Sequence, residues 1–309
     1  MIDQETHHIP ILLEPIADFL VEGLRALPKN AAPGLILDCT LGGGGHTARI
    51  LEKMREFRPE IKHRILGIDR DLDAITRNQT RFAKEISEGE LILAHASFSE
   101  SLAFILKEPI YGILADLGIS SDQIDSETRG FSFRYPAPLD MRMNTTQGES
   151  LLEWLGRTSE REITHTLQEY GEERLAAKIA RKLVDQRAKK ALPTHSLALA
   201  ELISSVFPPA HRYKGMHPAT RSFQAFRILI NQELLELEKL LSDVFPVTHP
   251  HGRIAVLSFH SLEDRKVKEA FKNKALYDIP FKKPIEPSDE EIKKNPRSRS
   301  AKLRLAIKK

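Results

Sequence analysis

Cysteine occurs once in this 309-residue chain, at Cys39, so no internal disulfide can form and a disulfide-stapled scaffold is excluded. No apolar run approaches the roughly 18 residues that a membrane-spanning helix needs. The opening stretch, Met1 to His8, carries acidic and polar side chains and no basic cluster, so no signal peptide is expected and the expected location is cytoplasmic. The histidines and the lone cysteine show no zinc-site spacing, and no metal is expected. No internal repeat is evident. What remains is ordinary for a globular chain with a sizeable core: 41% apolar and 29% charged residues, with a length suggesting about two domains.

The net charge of +3 conceals an uneven distribution. Lys282 to Lys309 holds ten Lys/Arg against four Asp/Glu, so the rest of the chain is slightly acidic. The stretch between Glu201 and Glu233 contains no acid but includes Arg212, Lys214, Arg221 and Arg227. Concentrated positive charge suits a phosphate backbone, although a solvated face or a disordered tail would read the same way.

Along the chain, short apolar runs alternate with helical patterns. Ile16, Phe19, Leu20, Leu24 and Leu27 form one helical stripe, with Pro15 suited to its first turn. Strands are expected at Leu35–Leu37, Arg64–Ile68, Leu91–Ala94 and Tyr111–Leu117, with helices over His46–Arg55 and Leu72–Lys84 between them. This rhythm predicts an α/β fold with a parallel sheet covered on both faces. From about Gln123 to Gly215 no strand is expected, and Leu151–Trp154, Glu160–Glu169, Glu172–Arg187 and Ser196–Val206 read as helices. One long helix is predicted from Ser222 to Phe245, then a strand over Arg253–Phe259, a helix from Ser261 and a last strand over Lys302–Ile307. Pro280 to Pro296 reads as a loop. The predicted architecture is a Rossmann-like domain formed by 1–122 and 216–309, interrupted by an all-helical domain at 123–215.

The segment Asp38-Cys-Thr-Leu-Gly-Gly-Gly-Gly-His46 follows a strand and opens a helix, where glycines let a backbone approach a ligand closely. Asp69 closes the next strand, where a carboxylate can accept hydrogen bonds from both ribose hydroxyls of an adenosine. Two cofactor classes share this pattern. The dinucleotide fingerprint G-x-G-x-x-G fails here, because its sixth position counted from Gly42 is Thr47. Asp38 beside the loop would repel a pyrophosphate and would attract the positive sulfonium or ammonium of S-adenosylmethionine. The methyl donor is therefore favoured, with an NAD(P)-dependent oxidoreductase as the alternative and a non-catalytic RNA-binding module as a third reading. Asp116 ends the fourth expected strand, so Asp38, Asp69 and Asp116 should share the rim where open α/β sheets bind ligands.

At these residues the sequence resembles the bacterial ribosomal RNA small-subunit methyltransferase H family. The shared blocks include His8–Glu14, Gly44–Thr47, Gly67–Asp71, Ala115–Ser121, Arg129–Phe133, Leu139–Met143, Tyr170–Arg174, His217–Arg221, Ser258–Arg265 and Asn295–Arg299. They run nearly end to end, in order and at matching spacing. The resemblance implies a class I methyltransferase sheet and S-adenosylmethionine-dependent methylation of cytosine N4 in the decoding region of 16S rRNA, within the small ribosomal subunit. It further implies that Gly44, Gly45, His46, Asp69, Phe98, Asp116 and Gln123 line the donor site. Pro15 and Asp122 depart from residues frequent in relatives, and Ala275 to Asn295 diverges.

Methylation of an exocyclic amine depends mainly on positioning a poorly nucleophilic nitrogen. Asp116 is the candidate for orienting that amine or accepting its proton, and His260 is a second catalytic candidate. Phe259 is expected to support the base and Arg212, Lys214 and Arg221 to contact phosphates. Ser261–Asp264 also reads as a helix capping box, and Arg129, Phe131, Phe133 and Arg142 as either an RNA-facing loop or a packed one. The sequence leaves monomer or homodimer open.

Overall fold

Leu, Ile and Val fill both faces of the strands β1 (Leu35–Asp38), β2 (Arg64–Asp69), β3 (Leu91–His95), β4 (Ile110–Asp116) and β5 (Arg253–Ser258), which suits a sheet covered by helices. They run parallel to one another in a computed structural model that describes residues 10–25, 27–28, 32–57, 62–103, 108–209 and 216–309. β6 (Tyr277–Asp278) and β7 (Lys302–Lys308) add to the same sheet in antiparallel sense. The order is β3-β2-β1-β4-β5-β7-β6, with β7 inserted between β5 and β6. This order, parallel except for β6 and β7, fits the Rossmann-like sheet expected from the sequence. The described residues form two units, one running to Gly118 and resuming at Leu234, the other Ile119–Glu233.

In the first unit α1 (Leu13–Arg25) precedes the sheet, and the crossovers hold α2 (Gly45–Phe57), α3 (Leu72–Arg81) and α4 (Ala83–Ser87). The apolar stripe of α1 lies where the sequence places it, except that the helix ends at Arg25, short of Leu27. Ile16, Leu20 and Leu24 are all buried in one core cluster with Ile36, Leu114 and Leu257, each worth about 2 kcal/mol of burial. A second cluster contains Leu37, Ile68, Ile113, Phe245 and Phe271.

The second unit contains no strand among its described residues. Its helices are α5 (Ser121–Asp125), α6 (Leu151–Arg157), α7 (Glu160–Gly171), α8 (Ala176–Ala188), α9 (Ser196–Ser204) and α10 (Thr220–Ile230). Ser150 with Glu153 and Ser159 with Glu162 form reciprocal capping boxes that start α6 and α7. Its core gathers Trp154, Leu167, Ile179, Leu199, Phe223 and Phe226.

Four expectations are corrected here. The single helix from Ser222 to Phe245 is broken at Gln232, whose φ of 50° is left-handed, and α11 (Glu233–Lys239) starts afresh beyond it. The discontinuity also moves the boundary. Residues 216–233 belong to the helical unit, because α10 buries Phe223, Ala225 and Phe226 in that unit's core. The helix expected from Glu172 begins only at Ala176, since Glu172 itself is left-handed at φ 48°. The expected loop at Pro280–Pro296 holds α13 (Asp289–Lys294), which follows α12 (Ser261–Phe271) and is started by Ser288 accepting the Glu291 N–H at 3.2 Å.

Candidate active site

The glycine loop lies between β1 and α2, and the acids around it fix its shape. Asp69 Oδ2 accepts the Gly42 N–H at 2.8 Å while its Oδ1 accepts the Asp71 N–H at 2.8 Å. Asn78, buried on α3, donates to the Gly42 carbonyl at 2.8 Å. Gly44 takes φ +75°, and a Cβ there would stand 2.3 Å from Asn78 Oδ1 and 2.6 Å from the Phe82 ring. A Cβ on Gly43 would meet nothing within 4 Å, so the loop has an open side. Gly45 opens α2 with Pro10 packed on it, at 2.2 Å from where a Cβ would stand.

The three rim carboxylates occupy the carboxyl ends of adjacent strands. Asp38 and Asp116 lie on neighbouring β1 and β4, and Asp69 on β2 beyond β1. Asp38 is almost fully buried, and its two oxygens accept from Thr40 N at 3.1 Å and Thr47 Oγ1 at 2.7 Å. The Thr40 hydroxyl in turn accepts the Asp116 N–H at 2.6 Å, tying the loop to β4. Burial pushes the Asp38 and Asp69 carboxyls up to about 6. Asp116 is displaced furthest. Burial raises it to about 8, with repulsion from Asp38 and Glu263 adding to the effect.

His46 donates from Nε2 to the Ile11 carbonyl at 3.1 Å, which fixes the tautomer and turns its other nitrogen toward Asp116. Nδ1 lies 3.7 Å from Asp116 Oδ2. No N–H or O–H among the described residues of this unit hydrogen-bonds the Asp116 carboxyl. It is therefore a largely buried, proton-retaining group with its bonding capacity available to a ligand.

Phe98 sits after β3, half-buried against the second core cluster, where one ring face can meet an adenine. Asp69 keeps a second lone pair on each oxygen for ribose hydroxyls, and Gly43 leaves room beside it. These features fit an adenosine-containing sulfonium donor: an acid for the ribose, an open glycine backbone and carboxylates for positive charge.

Other expected residues take different positions. His260 is the cap of α12. Its Nδ1 accepts the Glu263 N–H at 3.4 Å and its Nε2 lies 3.1 Å from Glu263 Oε1. Glu263 also accepts the Phe259 N–H at 2.9 Å, so the cap pairs His260 with Glu263 rather than Ser261 with Asp264. Phe259 is half-buried against the first core cluster and lies 3.5 Å from where a Cβ on Gly118 would stand. In the helical unit, Gln123 is buried and closes a capping box with Ser120, its Oε1 accepting the Ser120 N–H at 3.1 Å. Arg221 is exposed and donates to the Glu172 carbonyl at 3.1 Å. Arg212 and Lys214 lie outside the described residues. Arg129 is buried and donates to the Arg142 carbonyl at 2.9 Å, while Arg142 grips Asp140 at 2.8 and 2.7 Å. That segment is packed by its own polar contacts.

Sequence reasoning missed Thr40, Thr47 and Asn78. Thr40 and Thr47 supply the donors that permit Asp38 to be buried, and Asn78 holds the loop carbonyl. The available signal was polar residues at positions facing the core, Asn78 within the buried face of α3 above all.

The sequence pattern of the MraW methylase family matches residues 5–309. Ribosomal RNA small subunit methyltransferase H of Polynucleobacter asymbioticus is 42% identical over 318 residues, covering 97% of this chain and 97% of that one. The protein of the same name from Crocosphaera subtropica is 44% identical over 302 residues, covering 98% of this chain and 89% of that one.

Proposed function

The chain belongs to the MraW methylase family, and from that premise we propose that it methylates N4 of a cytidine in the decoding region of 16S rRNA, within the small ribosomal subunit. It is an S-adenosylmethionine-dependent rRNA methyltransferase. The observation that carries the finer reading is Asp116: a rim carboxyl pushed up to about 8, free on its ligand side and placed beside His46.

Bound S-adenosylmethionine supplies an electrophilic methyl group on a positively charged sulfur. Cytosine N4 is a weak nucleophile because its lone pair is delocalised into the ring. The ionised Asp116 accepts a hydrogen bond from that amine, which localises the lone pair. With the donor bound, the Asp116 carboxylate would take the proton that the amine gives up on methylation. A carboxyl that titrates near neutrality suits both roles. His46 Nδ1, left without a hydrogen because Nε2 donates to the Ile11 carbonyl, lies 3.7 Å from the carboxyl and lines it rather than bonding it. Asp69 and the loop hold the adenosine end. His260 is committed to capping α12, so catalysis is assigned to Asp116 alone, with Phe259, which packs near Gly118, as a surface for the base.

The retained strain argues against a relic binding module. Burial raises the proton affinity of all three acids at the strand ends, and repulsion from a neighbouring acid adds to it at Asp38 and Asp116, a cost that simple RNA binding does not require. No described helix is long and apolar enough to cross a membrane, and the ribosomal substrate places the proposed site of action in the cytoplasm.

Incubation with labelled methyl donor and undermethylated small subunits should place label in N4-methylcytidine on nucleoside digestion. Label confined to another nucleoside would refute the cytosine N4 assignment. Calorimetry should show binding of S-adenosylhomocysteine and none of NADH, and the reverse would restore the oxidoreductase reading.

A further inference from the structure

From Ile292 to Lys309 the chain holds eight Lys/Arg and no acid. Some of these have partners. Arg304 pairs with Asp264 at 2.6 and 3.0 Å, Lys309 with Asp278 at 3.1 Å, and Lys308 stands over the Tyr277 ring. Lys293, Lys294 and Arg299 are exposed, and no carboxylate among the described residues lies within ion-pair reach of them. Lysines in the last turn of α13, opposite Asp289 and Glu290 in its first, suit the helix dipole. That arrangement accounts for two of the three cations but not for Arg299 or for where the segment lies.

The register of β7 on β5 sets Lys302 opposite Ser258, so the chain enters β7 at the carboxyl ends of the parallel strands. That is the rim carrying Asp38, Asp69 and Asp116. Glu291 Oε1 accepts the Leu12 N–H at 2.7 Å, and the adjoining Ile11 carbonyl accepts from His46. α13 is therefore tied to the short stretch that orients His46, itself 3.7 Å from Asp116. Arg299 follows a fixed turn. Asn295 accepts the Arg297 N–H at 3.2 Å, and Ser298 and Ala301 are buried on either side of it.

We infer that Lys293, Lys294 and Arg299 bind phosphates of the RNA strand flanking the nucleotide to be methylated. The inference rests on the methyltransferase reading and adds the residues that hold the substrate strand. Exposed cations are already hydrated and unpaired, so phosphate contact releases counterions without breaking an internal ion pair. Such contacts fix register along the strand and read no sequence.

The test is the full chain carrying Lys293→Gln, Lys294→Gln and Arg299→Gln, assayed with labelled donor and undermethylated small subunits over a range of KCl. KM for the subunit should rise about tenfold. The slope of log KM against log salt should become shallower by about 2, as for three lost single-strand phosphate contacts. S-adenosylhomocysteine affinity and the urea midpoint should be unchanged, and the Lys293→Arg, Lys294→Arg, Arg299→Lys variant should retain the wild-type slope. An unchanged KM and slope in an active enzyme would overturn the inference, as would loss of S-adenosylhomocysteine binding or of stability in the Gln variant. A wild-type chain that labels no small-subunit RNA would overturn the methyltransferase reading instead.

Discussion

Replacing Asp116 with asparagine should stabilise the donor-free protein above neutral pH while abolishing turnover. The carboxyl ordinarily titrates at 3.8 and is pushed up to about 8 in the fold. A raised folded-state value means that the native chain binds the proton more tightly than the unfolded one. The contribution to stability is whole below about pH 4 and is lost as pH climbs through about 8. Between pH 6 and pH 8 the loss from this one group is about 2 kcal/mol, since each unit of pH inside the window is worth about 1.4 kcal/mol. The substituted amide has no charge to desolvate, so the variant escapes that decline. Urea unfolding of both proteins, without donor, at pH 6, 7 and 8 measures the difference directly, because Asp38, Asp69 and the histidines titrate in both. The stability gap should widen with pH in favour of the variant. Parallel curves would show that Asp116 is not held protonated by burial and would remove the physical basis for its role as proton acceptor.

Gly44→Ala should distort the loop, since φ +75° and the approach to Asn78 and Phe82 leave no room for a methyl group. Stability should fall by about 2–4 kcal/mol, and titration calorimetry should show S-adenosylhomocysteine binding weakened by more than tenfold; wild-type affinity would mean that the loop does not form the donor site. Asn231→Ala should destabilise the helical unit. Its amide accepts the Met143 N–H at 2.6 Å and donates to Met141 and Arg227 carbonyls at 2.7 and 2.9 Å, holding Met141 at φ 60°. Loss of these buried partners is worth about 2–4 kcal/mol, read as a lower urea midpoint with donor affinity retained.

The strands were legible because each is a short run rich in branched apolar residues, closed by an acid in β1, β2 and β4, and β1 to β5 and β7 fall within a residue or two of their expected bounds. The breaks were not. Gln232 and Glu172 adopt left-handed backbone without being glycine, so nothing local announces them. At Glu172 the neighbouring Gly171 is committed to another purpose: a Cβ there would stand 2.7 Å from the Arg221 carbonyl, so the glycine serves the contact with α10 and the turn falls to the next residue. β6 is two residues long and exists only because β7 offers it an edge. Within the site, the acids were visible as residues at strand ends. Their pairing with Thr40, Thr47 and Asn78 depends on how the loop folds back, which spacing along the chain does not encode. The sequence offered His260 as a catalytic candidate and a capping box at Ser261–Asp264, whereas in the structure His260 itself caps α12 with Glu263.

The pairing of β4 with β5 sets an order on assembly. β1 to β4 come from one continuous stretch, joined by crossovers of about two dozen residues or fewer, whereas β5 reaches β4 only across residues 117–252. Closing that longer gap costs roughly 1–1.5 kcal/mol more in chain entropy, so the β3-β2-β1-β4 half of the sheet is favoured to form first. In such a half-sheet β4 is an edge strand and Asp116 faces water. The arrival of β5, and of Glu263 on the helix behind it, is what strips solvent from the carboxyl. The step that completes the sheet is then the same step that turns an ordinary surface aspartate into a carboxyl titrating at about 8, and a chain caught before it would hold every residue of the site yet lack the base proposed for it.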